Sequence, residues 1–156
     1  MGLKIGDTYE GLFYNLVIDG LRDLLIAEYK NATIYVSPKI THANSFQIRL
    51  WGTEATLEKE HASAWQKQYN VGICMYLIEK NPSELFYKQL YNDSERIFQL
   101  IHNNKTYTKA IGSTNFTWID GKIDTIRYNE YEEGEEDIEG LSLAKFDFSC
   151  LAERTS

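Results

Sequence analysis

Six carboxylates stand within eight residues at Glu132, Glu133, Glu135, Glu136, Asp137 and Glu139, interrupted by Gly134 and followed by Gly140. Calcium and magnesium seek oxygen donors, so a divalent cation is the first chemistry to consider there. A calcium loop places its acids at alternate positions around a fixed glycine, and this run does not. Crowded like charges repel one another, so 132–140 reads as a solvated, mobile acidic loop facing a channel or a partner. A second polar group, Glu54, Glu58, Glu60 and His61, lies between Trp51 and Trp65. No further ligand accompanies it, and the two tryptophans are of the kind that packs a hinge or anchors a protein interface. His42, His61 and His102 stand at metal-ligand spacing neither from one another nor from Cys74 or Cys150. The two cysteines fall in apolar, strand-like runs and read as buried free thiols of a reducing compartment. No glycine-rich turn leads a strand into a helix, so no phosphate cradle is visible, and Ser37 and Ser149 lack the flanking glycines of a nucleophile elbow. These residues call for no catalytic group, no metal and no cofactor, and the expectation is a chain that is not an enzyme.

The 156 residues are 43% hydrophobic and 13% aromatic, which suits a single domain over 1–156 with a sizeable core. Eleven tyrosines fit half-buried strand positions, and also surfaces that meet partners. A net charge of −7 argues against nonspecific binding to duplex DNA, although it is compatible with a channel through which DNA slides. No basic stretch followed by an apolar run opens the sequence, and no apolar run approaches the roughly 20 residues that span a bilayer. A cytoplasmic product without membrane contact is expected.

The segment 68–103 organises the rest. Tyr69, Val71, Ile73, Met75 and Leu77 share one parity and Cys74, Tyr76 and Ile78 the other, which reads as a strand in mid-sheet. Asn81-Pro82-Ser83-Glu84 then resembles a helix start, with Asn81 as cap and Pro82 in the first turn. The helix that follows places Phe86, Leu90, Ile97 and Ile101 on one stripe, with Leu85 and Phe98 beside it. Upstream, a helix capped by Asp7 or Thr8 carries Leu12, Phe13, Leu16, Val17, Leu21, Leu24 and Leu25 and ends near Tyr29 or Lys30. Gly20 weakens that helix by roughly 1 kcal/mol and leaves room for another element to come close. Thr33–Ser37 and Ser45–Trp51 read as an antiparallel strand pair, with Phe46, Ile48 and Leu50 inward and Gln47, Arg49 and Trp51 outward. The stretch 53–64 loses this rhythm and reads as an extended arm or loop. Asp120-Gly121, between 116–119 and 122–128, has the chemistry of a tight hairpin turn. Leu141–Leu151 closes the sheet, with Ala144, Phe146, Phe148 and Cys150 on one parity. The expected class is α+β: a mostly antiparallel sheet of about five to six strands with two long helices packed on one face.

The order of elements resembles that of a family. The long first helix, Tyr29–Ile34, the strand ending Arg49-Leu50-Trp51-Gly52, the central strand, the helix from Asn81–Glu84 and the closing Phe146–Leu151 together look like the tail terminator, or tail completion, proteins of long-tailed bacteriophages. The likeness covers nearly the whole chain as an order of elements, and the family has no signature motif or catalytic residues to carry over. It implies a ring, usually of six copies, that caps the tail tube, meets the head connector and lets DNA pass through its channel. The partners would be further copies of this chain, the tail-tube protein and the head–tail connector protein, with no specific nucleic-acid site. The place of action would be the neck of the virion, assembled in the host cytoplasm. A ring needs contacts in which one patch meets a different patch, and stable ones bury on the order of 1,600 Å². Trp51, Trp65 and some of the tyrosines are candidates for that area. Two other readings fit the same acidity and size: another neck component, such as a head-closure or connector-adaptor protein, and a small acidic cytoplasmic module that binds or inhibits a basic partner.

Overall fold

The computed structural model describes residues 11–30, 32–38, 45–61 and 64–154. The expected helix cap at Asp7 or Thr8 and His42 lie outside these residues, while the helix end expected near Tyr29 or Lys30 falls at Glu28, with Tyr29 as its cap. Six strands dominate: β1 (Thr33–Val36), β2 (Phe46–His61), β3 (Ala64–Ile78), β4 (Tyr107–Ile111), β5 (Thr114–Tyr128) and β6 (Leu141–Arg154). They form one sheet in the order β1-β2-β3-β6-β5-β4, antiparallel throughout except for the parallel pair β1–β2. The first helix is a π-helical stretch, Phe13–Ile18, that runs directly into α1 (Asp19–Glu28). The second is α2 (Glu84–His102).

This corrects the expected architecture. About half of the described residues are in strands, and the sheet curls into a mixed half-barrel instead of lying flat beneath two long helices. Two strand segments hide in the sequence. The stretch read as an arm over 53–64 is mostly strand: Thr53–His61 continues β2, which pairs with β3 from Glu54↔Asn70 to His61↔Ala64. Asp120-Gly121 is no hairpin turn either. It forms a bulge inside β5, where Asp120 takes φ 54° and the register against β6 shifts between Ile119 and Lys122. The bulge is held from outside, because the Gly121 N–H donates to the Lys105 carbonyl at 2.8 Å. The β4–β5 turn is Gly112-Ser113, with Gly112 at φ 64°. β2 and β5 each carry two register shifts. Bulges bend a strand and tighten its twist, and strands of 14 to 16 residues accumulate that twist into a curl.

The parallel pairing of β1 is a second correction. Period-two alternation reads the same in either direction, so four residues of β1 carry no signal of orientation. At the start of α2 the cap is Ser83, not Asn81, and no side chain bonds the first turn. The helix stripe is present, with Leu90, Ile97 and Ile101 buried, while Leu85 is 73% exposed.

One face of the sheet carries the main core. Ile48, Leu50, Tyr69, Val71, Ile73, Met75, Leu77, Ala144, Phe146, Phe148 and Cys150 join Leu16, Leu21 and Leu25 of the first helix and Leu90, Ile97 and Ile101 of α2. Gly20 does permit a close approach: a Cβ there would stand 2.7 Å from the fully buried Trp118 ring. The opposite face carries a smaller cluster of Cys74, Tyr76, Leu141 and Leu143, with Trp51, Ile78 and Ile138 against it. Gly72 and Trp51 are cross-strand partners in that region, and the indole lies over the glycine so closely that a Cβ would meet it at 2.6 Å.

Candidate functional site

Strand register builds an unexpected feature on the face of the smaller cluster. Tyr35 pairs with Arg49, Arg49 with Cys74, Cys74 with Lys145, and Lys145 with Arg127. Three cations therefore stand in one row across five strands. Arg49 is 1% exposed, and its guanidinium lies 4.3 Å from the Tyr35 ring centre and donates to Gln47 Oε1 at 2.9 Å. Burial pushes its pKa down. Gln47 and Arg49, expected to point outward into solvent, do sit on the outward parity but are buried there.

The acidic segment answers this row. Glu130 meets Arg127 at 3.1 Å, and Asp147 of β6 meets it at 2.6 Å. Glu132 meets the Lys145 ammonium at 3.1 Å and Glu135 lies 3.6 Å from it. Glu135 sits in a single 3-10 turn, Glu135–Asp137, and is buried. Its Oε2 accepts from the Tyr76 hydroxyl at 2.8 Å and its Oε1 from the Glu132 N–H at 2.6 Å. Burial, more than the neighbouring Cys74 and Glu135, raises the Tyr76 pKa, and burial pushes the Cys74 thiol up to about 12. The expectation of six solvated carboxylates is thus corrected at Glu135. Glu132, Glu133, Glu136, Asp137 and Glu139 stay exposed, but Glu135 turns inward because a buried ammonium and a phenol are there to receive it. Sequence reasoning missed Lys145. Its signal is a lysine in the middle of an apolar strand run, on the parity of Leu141 and Leu143.

Under this strap lies a cleft of about 820 Å³, lined by Trp51, Tyr76, Lys145, Ile138 and the Glu132–Glu135 segment. Trp51 thus borders the acidic segment. The other candidates of its group lie further along β2: Glu54, Glu58, Glu60 and His61 are all exposed. Trp65 is not at the base of an arm but near its tip, paired with Glu60 and lying 4.7 Å from the Lys67 ammonium. Glu60, His61 and Trp65 share a shallow pocket of about 450 Å³ with Glu153 and Arg154. The two tryptophans therefore mark opposite ends of the outer half of the β2–β3 pair, Trp51 on β2 and Trp65 on β3.

A third surface comes from α2. Leu85, Tyr87 and Tyr91 are exposed there, and Tyr128 and Tyr131 are exposed beside them. The Tyr91 and Tyr128 rings meet edge to face at 5.0 Å, and Tyr128 shares a 2.6 Å hydrogen bond with Ser94. Among the described residues, no three His, Cys, Asp or Glu side chains are placed to hold a metal, and no helix is long and apolar enough to cross a membrane. His102 stacks on Phe98 at the end of α2. Cys74 and Cys150 are buried free thiols. No family model matches the chain, and no curated protein matches it significantly.

Proposed function

We propose that the chain is a structural assembly protein of a bacteriophage neck, a tail terminator whose copies form a ring that caps the tail tube and meets the head connector. The first helix, the central strand β3, α2 and the closing strand β6 keep the order on which the resemblance rests, although β2 runs past Gly52 to His61, and one observation carries the reading furthest. Leu85, Tyr87 and Tyr91 of α2 with Tyr128 and Tyr131 make an aromatic, apolar surface, while Glu84 and Lys88 supply charges beside it. Tyrosine-rich patches with charged surroundings are typical of protein contacts. The negative balance fits a channel wall that must release DNA. An inhibitor that uses the acidic segment has less to stand on, because Glu130, Glu132 and Glu135 already hold the chain's own Arg127 and Lys145.

The test is to mix the purified protein with isolated tail tubes, image the tube ends by electron microscopy, and measure the free protein by light scattering. Rings at one tube end and a mass several times 18.1 kDa are expected. A persistent monomer that leaves tube ends bare overturns the proposal.

A further inference from the structure

β2 is paired on both sides only where β1 lies along it, over Gln47–Leu50. From Trp51 to His61 its outer edge has no strand partner among the described residues, and side chains from Gly52 to His61 are exposed on both faces of the strand. A row of unpaired backbone donors and acceptors is a template for another strand. The same sheet ends at its far side in β4, whose outer edge is also unpaired among the described residues.

The charges distinguish how two copies would meet. The β2 edge carries Glu54, Glu58 and Glu60 against Lys59, so two such edges set side by side would bring carboxylates together. β4 contains Lys109 and no carboxylate, with Lys105 just before it and exposed Thr108 and Ala110 within it. Lys109 is itself held by Asp19 and Asp23 of α1, so the exposed Lys105 is the cation on this edge that would meet the β2 carboxylates. We infer that copies of this chain join head to tail, the outer edge of β2 over 53–61 adding to β4 of the next copy and continuing the sheet across the contact. This rests on the ring reading above and names the contact that builds the ring. The joint differs at its two sides, which is what a closed cycle of more than two copies requires.

Three kinds of variant test it, each first checked for an unchanged monomer melt. Adjacent residues of a strand aim their N–H groups in opposite directions, and Ala55 and Thr56 sit in a regular stretch paired with Tyr69 and Gln68. Of Ala55→Pro and Thr56→Pro, the one whose lost N–H points outward should melt normally and lower the assembly constant at least tenfold. Ala110→Glu should weaken assembly by a similar factor and Ala110→Lys should not. Glu58→Lys combined with Ala110→Glu should restore it. If wild type forms rings that cap tubes and every variant does the same, the strand contact is wrong and the ring reading stands. If wild type stays monomeric and ignores tubes, both fall. If the proline variant still forms rings but no longer binds tube protein, the edge belongs to the tube and not to a second copy.

Discussion

Glu135 has both oxygens occupied, by the Tyr76 hydroxyl on one and by the Glu132 N–H with Lys145 beside it on the other. Glu135→Ala should leave a buried ammonium with a single, mostly exposed partner in Glu132, and a phenol with only the weak Cys74 thiol. Hydrogen bonds to charged groups contribute about 1.5–3 kcal/mol, so a loss of roughly 2–3 kcal/mol is expected in urea unfolding, against about 0.5 kcal/mol or less for the exposed Glu133→Ala. Equal effects would show that the strap is not anchored there. Buried protons set a second expectation. Burial moves the Cys74 thiol from 9.0 up to about 12, and the Tyr69 phenol from 10.0 up to about 12. Burial likewise raises Cys150, Tyr76 and Tyr29. Well below pH 9 the folded and unfolded chains both keep these protons, and the groups add almost no slope. Between pH 9 and 12 the unfolded chain releases them first, so it binds fewer protons and stability falls as pH rises. Urea midpoints measured from pH 8 to 11 should be level and then decline. A level profile to pH 11 contradicts the burial of these groups.

At the level of elements, close approaches are what hold the curl. Gly20→Ala would gain helix propensity of about 1 kcal/mol, yet the new Cβ would press on the fully buried Trp118, and overpacking costs about 1–3 kcal/mol. Gly72→Ala would press on Trp51 in the same way. Both should lower the melting temperature, and Gly72→Ala should also shift tryptophan emission as the indole is displaced. A melt unchanged in both would mean that the rings move aside freely. The same elements separate what could be read in advance from what could not. β3, β6 and the apolar stripe of α2 were legible, because a period of two or of 3.6 with one buried face leaves its mark in the residue types. The outer half of β2 was not: with both faces exposed it shows no alternation, and only pairing to β3 makes it a strand. Asp120-Gly121 misled for a related reason. A positive φ serves a bulge as well as a turn, and the choice depends on the Lys105 carbonyl, which lies just before β4 on the neighbouring strand and is invisible to local pattern. Of the candidate site, the acidic run and Trp51 were legible as residues. The row Arg49–Cys74–Lys145–Arg127 was not, because it exists only once four strands are in register.

For the molecule as a whole, a chain of net charge −7 whose Arg127 and Lys145 already hold carboxylates offers duplex DNA little to grip. Electrophoresis should show no retarded band at physiological salt, and retardation would argue against a channel that releases DNA. The sheet also separates the chain's two thiols. Cys150 belongs to the main core beneath the helices, and Cys74 to the smaller cluster under the acidic strap, on the other side of the same backbone layer. A slow thiol reagent in native buffer therefore times two different events. Modification of Cys74 should follow the lifting of the strap and be hastened by Glu135→Ala, whereas modification of Cys150 should wait for the opening of the helical side and keep its pace in that variant.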